Sequence, residues 1–217
     1  MQSSSAQEQM ISQQLRTWDV LDERVLAAVR AVPRDEFVPA RYADLAYADF
    51  GVPLSHGETM LTPKTEGRIL QCLALDRDDA VLCIGAGSGY LAACLAKLAA
   101  RVVAFERHSD LAAEAEERLH KLGLAANVEW RAETFNRDTA AGKYDAIALT
   151  GSVATLSGNL LAALNPGGRL FAVVGKGVVQ QAQRVTTTAD GDIRTEVMFE
   201  TELEPLEGFA AARRFEF

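Results

Sequence analysis

Three glycines alternate with small residues in Gly85-Ala86-Gly87-Ser88-Gly89, directly after the apolar run Val81 to Ile84. The run reads as a buried strand, and Leu91 to Leu98 beyond it carries the apolar repeat of a helix. Glycines at such a junction let the backbone turn sharply and approach a ligand with no Cβ atoms in the way. In open α/β sheets this junction, at the carboxyl end of a central strand, is where cofactors bind. Arg101 to Phe105 reads as the next strand, and Glu106 stands at its end, 17 residues beyond Gly89. A carboxylate there can accept hydrogen bonds from both hydroxyls of a ribose, so the pair of features points to an adenosine-type ligand. The dinucleotide fingerprint requires a third glycine at the sixth position of the motif. That position is Tyr90, which argues against NAD or FAD.

A second stretch, Leu54 to Pro63, is a loop holding His56, Gly57, Thr59 and Thr62. Loops held by a rigid scaffold carry function more often than the helices beside them. Thr62-Pro63 reads as a helix N-cap followed by proline at the first helical position. Glu66 is one residue too far along for a capping box. His56 reads first as a structural loop residue, and His108 and His120 as solvent-facing.

The elements that must position these residues follow from periodicity. Residues 1 to 5 are expected to lack structure, and helices are expected over 6–18, 22–30 and 63–75, with a short helical piece over 42–47. Strands are expected at 80–84, 101–105, 127–130, 143–149 and 169–174, with helices over 91–98, 109–122 and 153–164 among them. A hairpin over 180–188 and 193–203 closes the series. This alternation predicts an α/β fold, a doubly wound and mostly parallel sheet of seven strands preceded by a helical N-terminal region. One domain over 1–217 accounts for it, with a helical region and acceptor loop at 6–75, a cofactor-binding core at 80–175 and a C-terminal hairpin at 178–207.

At 217 residues, with 48% hydrophobic and 24% charged residues, the chain has the composition of an ordinary globular protein. Its net charge of −8, with no basic stripe, argues against a nucleic-acid or anionic-membrane partner. Cys72, Cys83 and Cys94 all fall in apolar stretches and form no CxxC pair, so they read as small core residues. The first residues have neither a basic nor an apolar signal region, and the expected location is the cytoplasm.

Read in order, Arg24-Val-Leu26, Val32-Pro-Arg34, Phe37-Val-Pro39, Leu45-Ala-Tyr47 and His56-Gly-Glu-Thr59 precede the glycine motif. Phe105-Glu106-Arg107, Tyr144-Asp-Ala-Ile147, Asn165-Pro-Gly-Gly168 and Glu204-Pro-Leu206 follow it. The glycine loop alone is similar to the first motif of class I S-adenosylmethionine-dependent methyltransferases. The full set resembles the protein-L-isoaspartate O-methyltransferase family from about residue 7 to 207. That resemblance implies S-adenosylmethionine as methyl donor, isoaspartyl carboxylates of damaged proteins or peptides as acceptors, and no metal. It implies that Gly85, Ala86, Gly87, Ser88 and Gly89 wrap the methionine part of the cofactor. Glu106 and Arg107 would then serve the ribose, and Glu133 with Thr134 the adenine. Residues 58 to 62, with Thr59, Leu61 and Thr62 as the catalytic candidates, would face the acceptor.

The chain departs from the family pattern at four places. Leu61 stands where the family has its active-site serine, and the neighbouring Thr62 is a candidate substitute hydroxyl. Cys83 replaces an acid at the end of the first strand. Ala132-Glu133-Thr134 replaces a Gly-Asp-Gly turn and keeps only the acid. Glu58 replaces glutamine and would repel an anionic acceptor unless a cation compensates. Two alternatives therefore stand beside the family reaction: methylation of another acceptor, and non-catalytic binding of S-adenosylmethionine.

Overall fold

A computed structural model describes residues 2–135, 142–188 and 190–209. Strands β3 (Ala80–Ile84), β4 (Arg101–Phe105), β5 (Val128–Arg131), β6 (Tyr144–Val153), β7 (Leu164–Lys176), β8 (Val179–Thr187) and β9 (Ile193–Glu200) form one sheet in the order β5-β4-β3-β6-β7-β8-β9. The pairs from β5 through β7 are parallel, and β8 and β9 are added as an antiparallel meander. The expected seven-stranded, mostly parallel sheet is therefore the observed one. A separate two-stranded ribbon, β1 (Val52–Pro53) with β2 (Thr59–Met60), clips the ends of the 54–58 loop together.

Strand alternation divides the core into two layers. Val81 and Cys83 point into one cluster, Leu82 and Ile84 into the other. The first layer lies under α1 (Gln2–Met10), α2 (Glu23–Ala31), α3 (Pro63–Leu73), α4 (Tyr90–Leu98) and the Leu119 end of α5 (Ser109–Lys121). The second layer is smaller and is covered by the short α6 (Gly158–Ala162) together with Phe135 and Phe209. The central strands are buried on both faces, which is why they read as continuous apolar runs.

Several expectations need correction. The chain is helical from Gln2 where no structure was expected up to residue 5, Met1 lies outside the described residues, and α1 continues through a wide π-type turn at Ile11–Leu15, where Ile11 and Leu15 are buried. β6 runs on to Val153, so the helix expected over 153–164 shrinks to five residues. The Asn165–Gly168 turn is absorbed into β7 as an irregular stretch, with partners stepping from Tyr144/Leu164 to Ala146/Arg169. Ala189, at the tip expected between β8 and β9, lies outside the described residues.

Candidate active site

The glycine motif sits where β3 ends and α4 begins. Glu106 follows β4 directly, is 4% exposed, and ties the glycine loop to the start of the next segment with its two carboxylate oxygens. The Gly87 N–H donates to its Oε2 at 2.8 Å and the His108 N–H to its Oε1 at 3.0 Å. From the other side, Thr150 Oγ1 on β6 lies 3.0 Å from the Ile84 carbonyl and 2.6 Å from that of Gly85, sharing its one proton between them. The loop is thus pinned by the strands on either side of β3.

Gly87 and Gly89 do different work. Both have left-handed φ, 54° and 87°. A Cβ on Gly87 would meet only Leu54, at 3.5 Å, so its missing side chain leaves open space on the cavity side. A Cβ on Gly89 would sit 2.9 Å from the Ala115 Cβ and 3.3 Å from Trp130. Gly89 is therefore buried behind the loop, where it allows α5 and β5 to approach. It is not among the residues that line the cavity, and the structure gives it a packing role.

In front of the loop lies a cavity of about 680 Å³. Gly85, Ala86, Gly87, Ser88, Glu106, Arg107, Glu133 and Thr134 all line it, and so do Thr59, Leu61 and Thr62 from the facing loop. With the exception of Gly89, the sequence-predicted residues are brought to one space. Its volume is in the range of small-molecule sites. Glu106 retains two of its about four lone-pair positions after accepting the two N–H groups, enough for a pair of hydroxyls. The residues present therefore fit the adenosine-type cofactor that the glycine loop suggested.

The structure gives each of the four departures a place. Cys83 is fully buried in the core and does not line the cavity, and burial pushes its thiol up to about 12. Glu58 is matched by a cation. Arg107 donates to it at 2.5 Å and pairs also with Glu207, and these two carboxylates raise the guanidinium's already high pKa. Leu61 packs its side chain, half-buried, against the core, while its carbonyl accepts from Arg34 at 2.6 Å. Thr62 caps α3. Its hydroxyl lies 2.9 Å from the Thr65 hydroxyl and accepts from the Thr65 N–H at 3.4 Å, so it is engaged in holding the helix start. Glu133 and Thr134 are exposed at the cavity rim.

Sequence reading missed the anchor beneath this loop. Arg34 is fully buried and bonds to Glu66, to the Ala46 carbonyl at 2.8 Å and to the Leu61 carbonyl. It ties the N-terminal region to the Leu61 end of the acceptor loop and to α3. Burial raises the Glu66 carboxyl from 4.5 to about 8 against the opposing pull of Arg34. The signal was present: Glu66 lies three and four residues before Ile69 and Leu70 on the buried stripe of α3. An acid on such a stripe needs a buried partner. Also missed was the segment 201–207, whose backbone pairs with Ser152 and which closes one side of the cavity. His108 is corrected from solvent-facing to half-buried, stacked on His56 with ring centroids 4.1 Å apart.

The family model for protein-L-isoaspartate(D-aspartate) O-methyltransferase matches residues 5–208. Protein-L-isoaspartate O-methyltransferase 1 of Rhodopseudomonas palustris is 39% identical over 207 residues, covering 94% of this chain and 84% of that protein. The protein-L-isoaspartate O-methyltransferase of Herpetosiphon aurantiacus is 39% identical over 180 residues, 82% of this chain and 80% of its own. The fold is similar to the crystal structure of a Plasmodium falciparum protein described as a putative member of the same family in complex with S-adenosyl-L-homocysteine. That likeness has a TM-score of 0.80 at 22% identity over 95% of this chain and 98% of the other. On the match of the family model and these relatives, the chain belongs to the protein-L-isoaspartate(D-aspartate) O-methyltransferase family.

Proposed function

We propose that the chain transfers a methyl group from S-adenosylmethionine to the free α-carboxylate of isoaspartyl residues in damaged proteins and peptides. The observation that supports this most is the shared cavity. The glycine loop with its Glu106 carboxylate and the 58–62 loop line the same space, so a nucleoside-borne methyl donor and a carboxylate acceptor can meet there.

When bound, S-adenosylmethionine supplies a methyl group on a positively charged sulfur, the electrophile for a carboxylate oxygen. Gly85, Ala86, Gly87 and Ser88 would hold its methionine part, Glu106 its ribose hydroxyls, and Arg107, Glu133 and Thr134 the nucleoside rim. The acceptor carboxylate is already anionic at neutral pH, so this chain needs no general base. Its residues act by alignment and by excluding water, which together account for several kcal/mol of a barrier in well-oriented reactions, roughly 7–11 at the upper end. Arg107 pairs with Glu58 beside the acceptor loop and is shared with Glu207, so it offsets part of the repulsion that the substituted acid exerts on the incoming carboxylate. Arg34 fixes the carbonyl of Leu61, and with it the loop that presents Thr59 to the acceptor. Among the described residues no helix is long and apolar enough to cross a membrane. Neither a nucleic acid nor a lipid surface enters the proposed reaction.

The test is transfer of labelled methyl to an isoaspartyl peptide beside its aspartyl twin, with thermal shift by S-adenosylhomocysteine run in parallel. Base-labile label on the isoaspartyl peptide alone supports the reading. A thermal shift without transfer to either peptide would overturn the acceptor and leave the cofactor site standing.

A further inference from the structure

Outside the transfer site, the described residues bring two imidazoles and a carboxylate together where the acceptor loop meets the start of α5. His56, His108 and Asp110 each offer a ligand atom, and these atoms lie within 4.8 Å of one another. They come from separate elements. His56 is in the turn Ser55–Gly57 of the acceptor loop, with left-handed φ of 58°. His108 is the N-cap residue of α5 and Asp110 lies in the first turn of that helix. His56 Nε2 is 2.7 Å from Asp110 Oδ2, and His108 Nε2 is 3.3 Å from Glu58 Oε1. The two rings stack with an angle of only 5° between their planes.

We propose that His56, His108 and Asp110 form a binding site for a divalent transition-metal ion of the zinc class, which ties the acceptor loop to the start of α5. The donor set suits such an ion. Imidazole nitrogen with one carboxylate is chemistry that Zn²⁺, Co²⁺, Ni²⁺ and Cu²⁺ accept, whereas Mg²⁺ and Ca²⁺ require oxygen donors. Three protein ligands leave a fourth position for water, or for Glu58 when its bond to His108 is exchanged. Zinc–nitrogen bonds of about 2.0–2.1 Å in a tetrahedron place donors roughly 3.3–3.4 Å apart, so the widest pair must close by about 1.4 Å, the His56–Asp110 pair must open by about 0.6 Å, and the stacked rings must turn toward a common point. His56 and Asp110 are exposed and His108 is half-buried, so side-chain rotation can supply that movement. The surrounding charge favours a dication too. Asp110, Glu58 and Glu207 stand against the single guanidinium of Arg107. The cysteines do not compete, because Cys72, Cys83 and Cys94 are all buried and burial raises their thiols.

The experiment titrates Zn²⁺ into the untagged, chelator-treated full chain near neutral pH, by calorimetry, and repeats it with Mg²⁺. Co²⁺ serves as a coloured substitute whose visible absorption reports a four-coordinate site. Asparagine tolerates left-handed φ, so H56N keeps the turn, and D110N keeps the helix start. The expected result is one equivalent of Zn²⁺ bound by the parent, no response to Mg²⁺, and affinity at least about tenfold weaker in both H56N and D110N. Each variant should keep the parent's metal-free melting temperature within a few degrees. H108A is a third variant with the same expectation. Absence of Zn²⁺ uptake by the parent would overturn the proposal. So would unchanged affinity in folded H56N and D110N. No step of the test depends on methyl transfer, so it stands or falls apart from the proposed reaction.

Discussion

Replacing Glu106 tests the cofactor site most directly. In the structure its two oxygens each accept one backbone N–H, from Gly87 at 2.8 Å and His108 at 3.0 Å. In Glu106→Gln the amide oxygen can keep one of these bonds, while the new NH₂ group faces the other donor. One hydrogen bond to a charged group contributes about 1.5–3 kcal/mol, so the unfolding free energy of the ligand-free variant, read from urea unfolding, should fall by about that amount. Ribose hydroxyls would use the remaining lone pairs, and they lose the charged acceptor as well. A loss of about 1.5–3 kcal/mol there raises Kd for S-adenosylhomocysteine by roughly ten- to 150-fold. Calorimetry of ligand binding and urea unfolding of the ligand-free protein read the two effects separately. A variant that loses stability but keeps its affinity would show that Glu106 only braces the loop and that the nucleoside lies elsewhere. A variant unchanged in both would refute the hydrogen-bond network itself.

Perturbations at Leu61, Glu66 and the two glycines follow from the same geometry. Leu61→Ser restores the family's hydroxyl at a half-buried position, so kcat/KM toward an isoaspartyl peptide should rise while stability falls by about 1 kcal/mol, about half the value of a fully buried leucine. Steady-state kinetics and denaturation measure the two. Glu66→Leu removes the carboxyl partner of buried Arg34 and should destabilise by about 3–5 kcal/mol in a denaturation experiment, with Arg34→Met/Glu66→Leu recovering only part because the Ala46 and Leu61 carbonyls stay unpaired. Because burial raises Glu66 from 4.5 to about 8, the folded chain holds a proton across that window that the unfolded chain releases. Stability should therefore fall as pH rises between those values, and Glu66→Gln should flatten the slope. Gly87→Ala should weaken S-adenosylhomocysteine binding with a stability loss of only about 1 kcal/mol, the cost of its left-handed φ. Gly89→Ala should do the reverse, lowering the melting temperature through its clash with Ala115, since its Cβ would point away from the cavity.

Much of this was legible in the residues. The β3–loop–α4 unit and Glu106 were readable because a run buried on both faces, a cluster of glycines and a strand-end acid are local signals. Every expected element from 80 to 131 is found within a few residues of its place. Pairings across the chain were harder to see. Arg34 and Glu66 are 32 residues apart, and nothing in either local pattern names the other. Thr150 lies at a break in β6 pairing, between Ala148 and Ser152, where regular alternation would not have aimed a side chain at the glycine loop. The extension of β6 was lost for the same reason: Thr150-Gly151-Ser152 reads as a turn by composition, and only pairing with β7 and with residues 204–206 holds it extended. His108 looked exposed because its partner, His56, comes from a loop with no periodicity to place it.

The pinning of the glycine loop by Thr150 has a consequence for how the chain matures. Gly85 and Thr150 are separated by 65 residues, and β3 acquires its second neighbour only when β6 has been made. During synthesis from the N-terminus, the binding motif therefore leaves the ribosome well before the hydroxyl that fixes its shape, and the 201–207 wall arrives later still. The β7–β8–β9 meander closes through short turns, so its own formation is fast once translated. The order of events is set by topology. A nascent chain halted before residue 150 would display the whole glycine signature held from the β4 side alone, and competence for the ligand would come with the final strands.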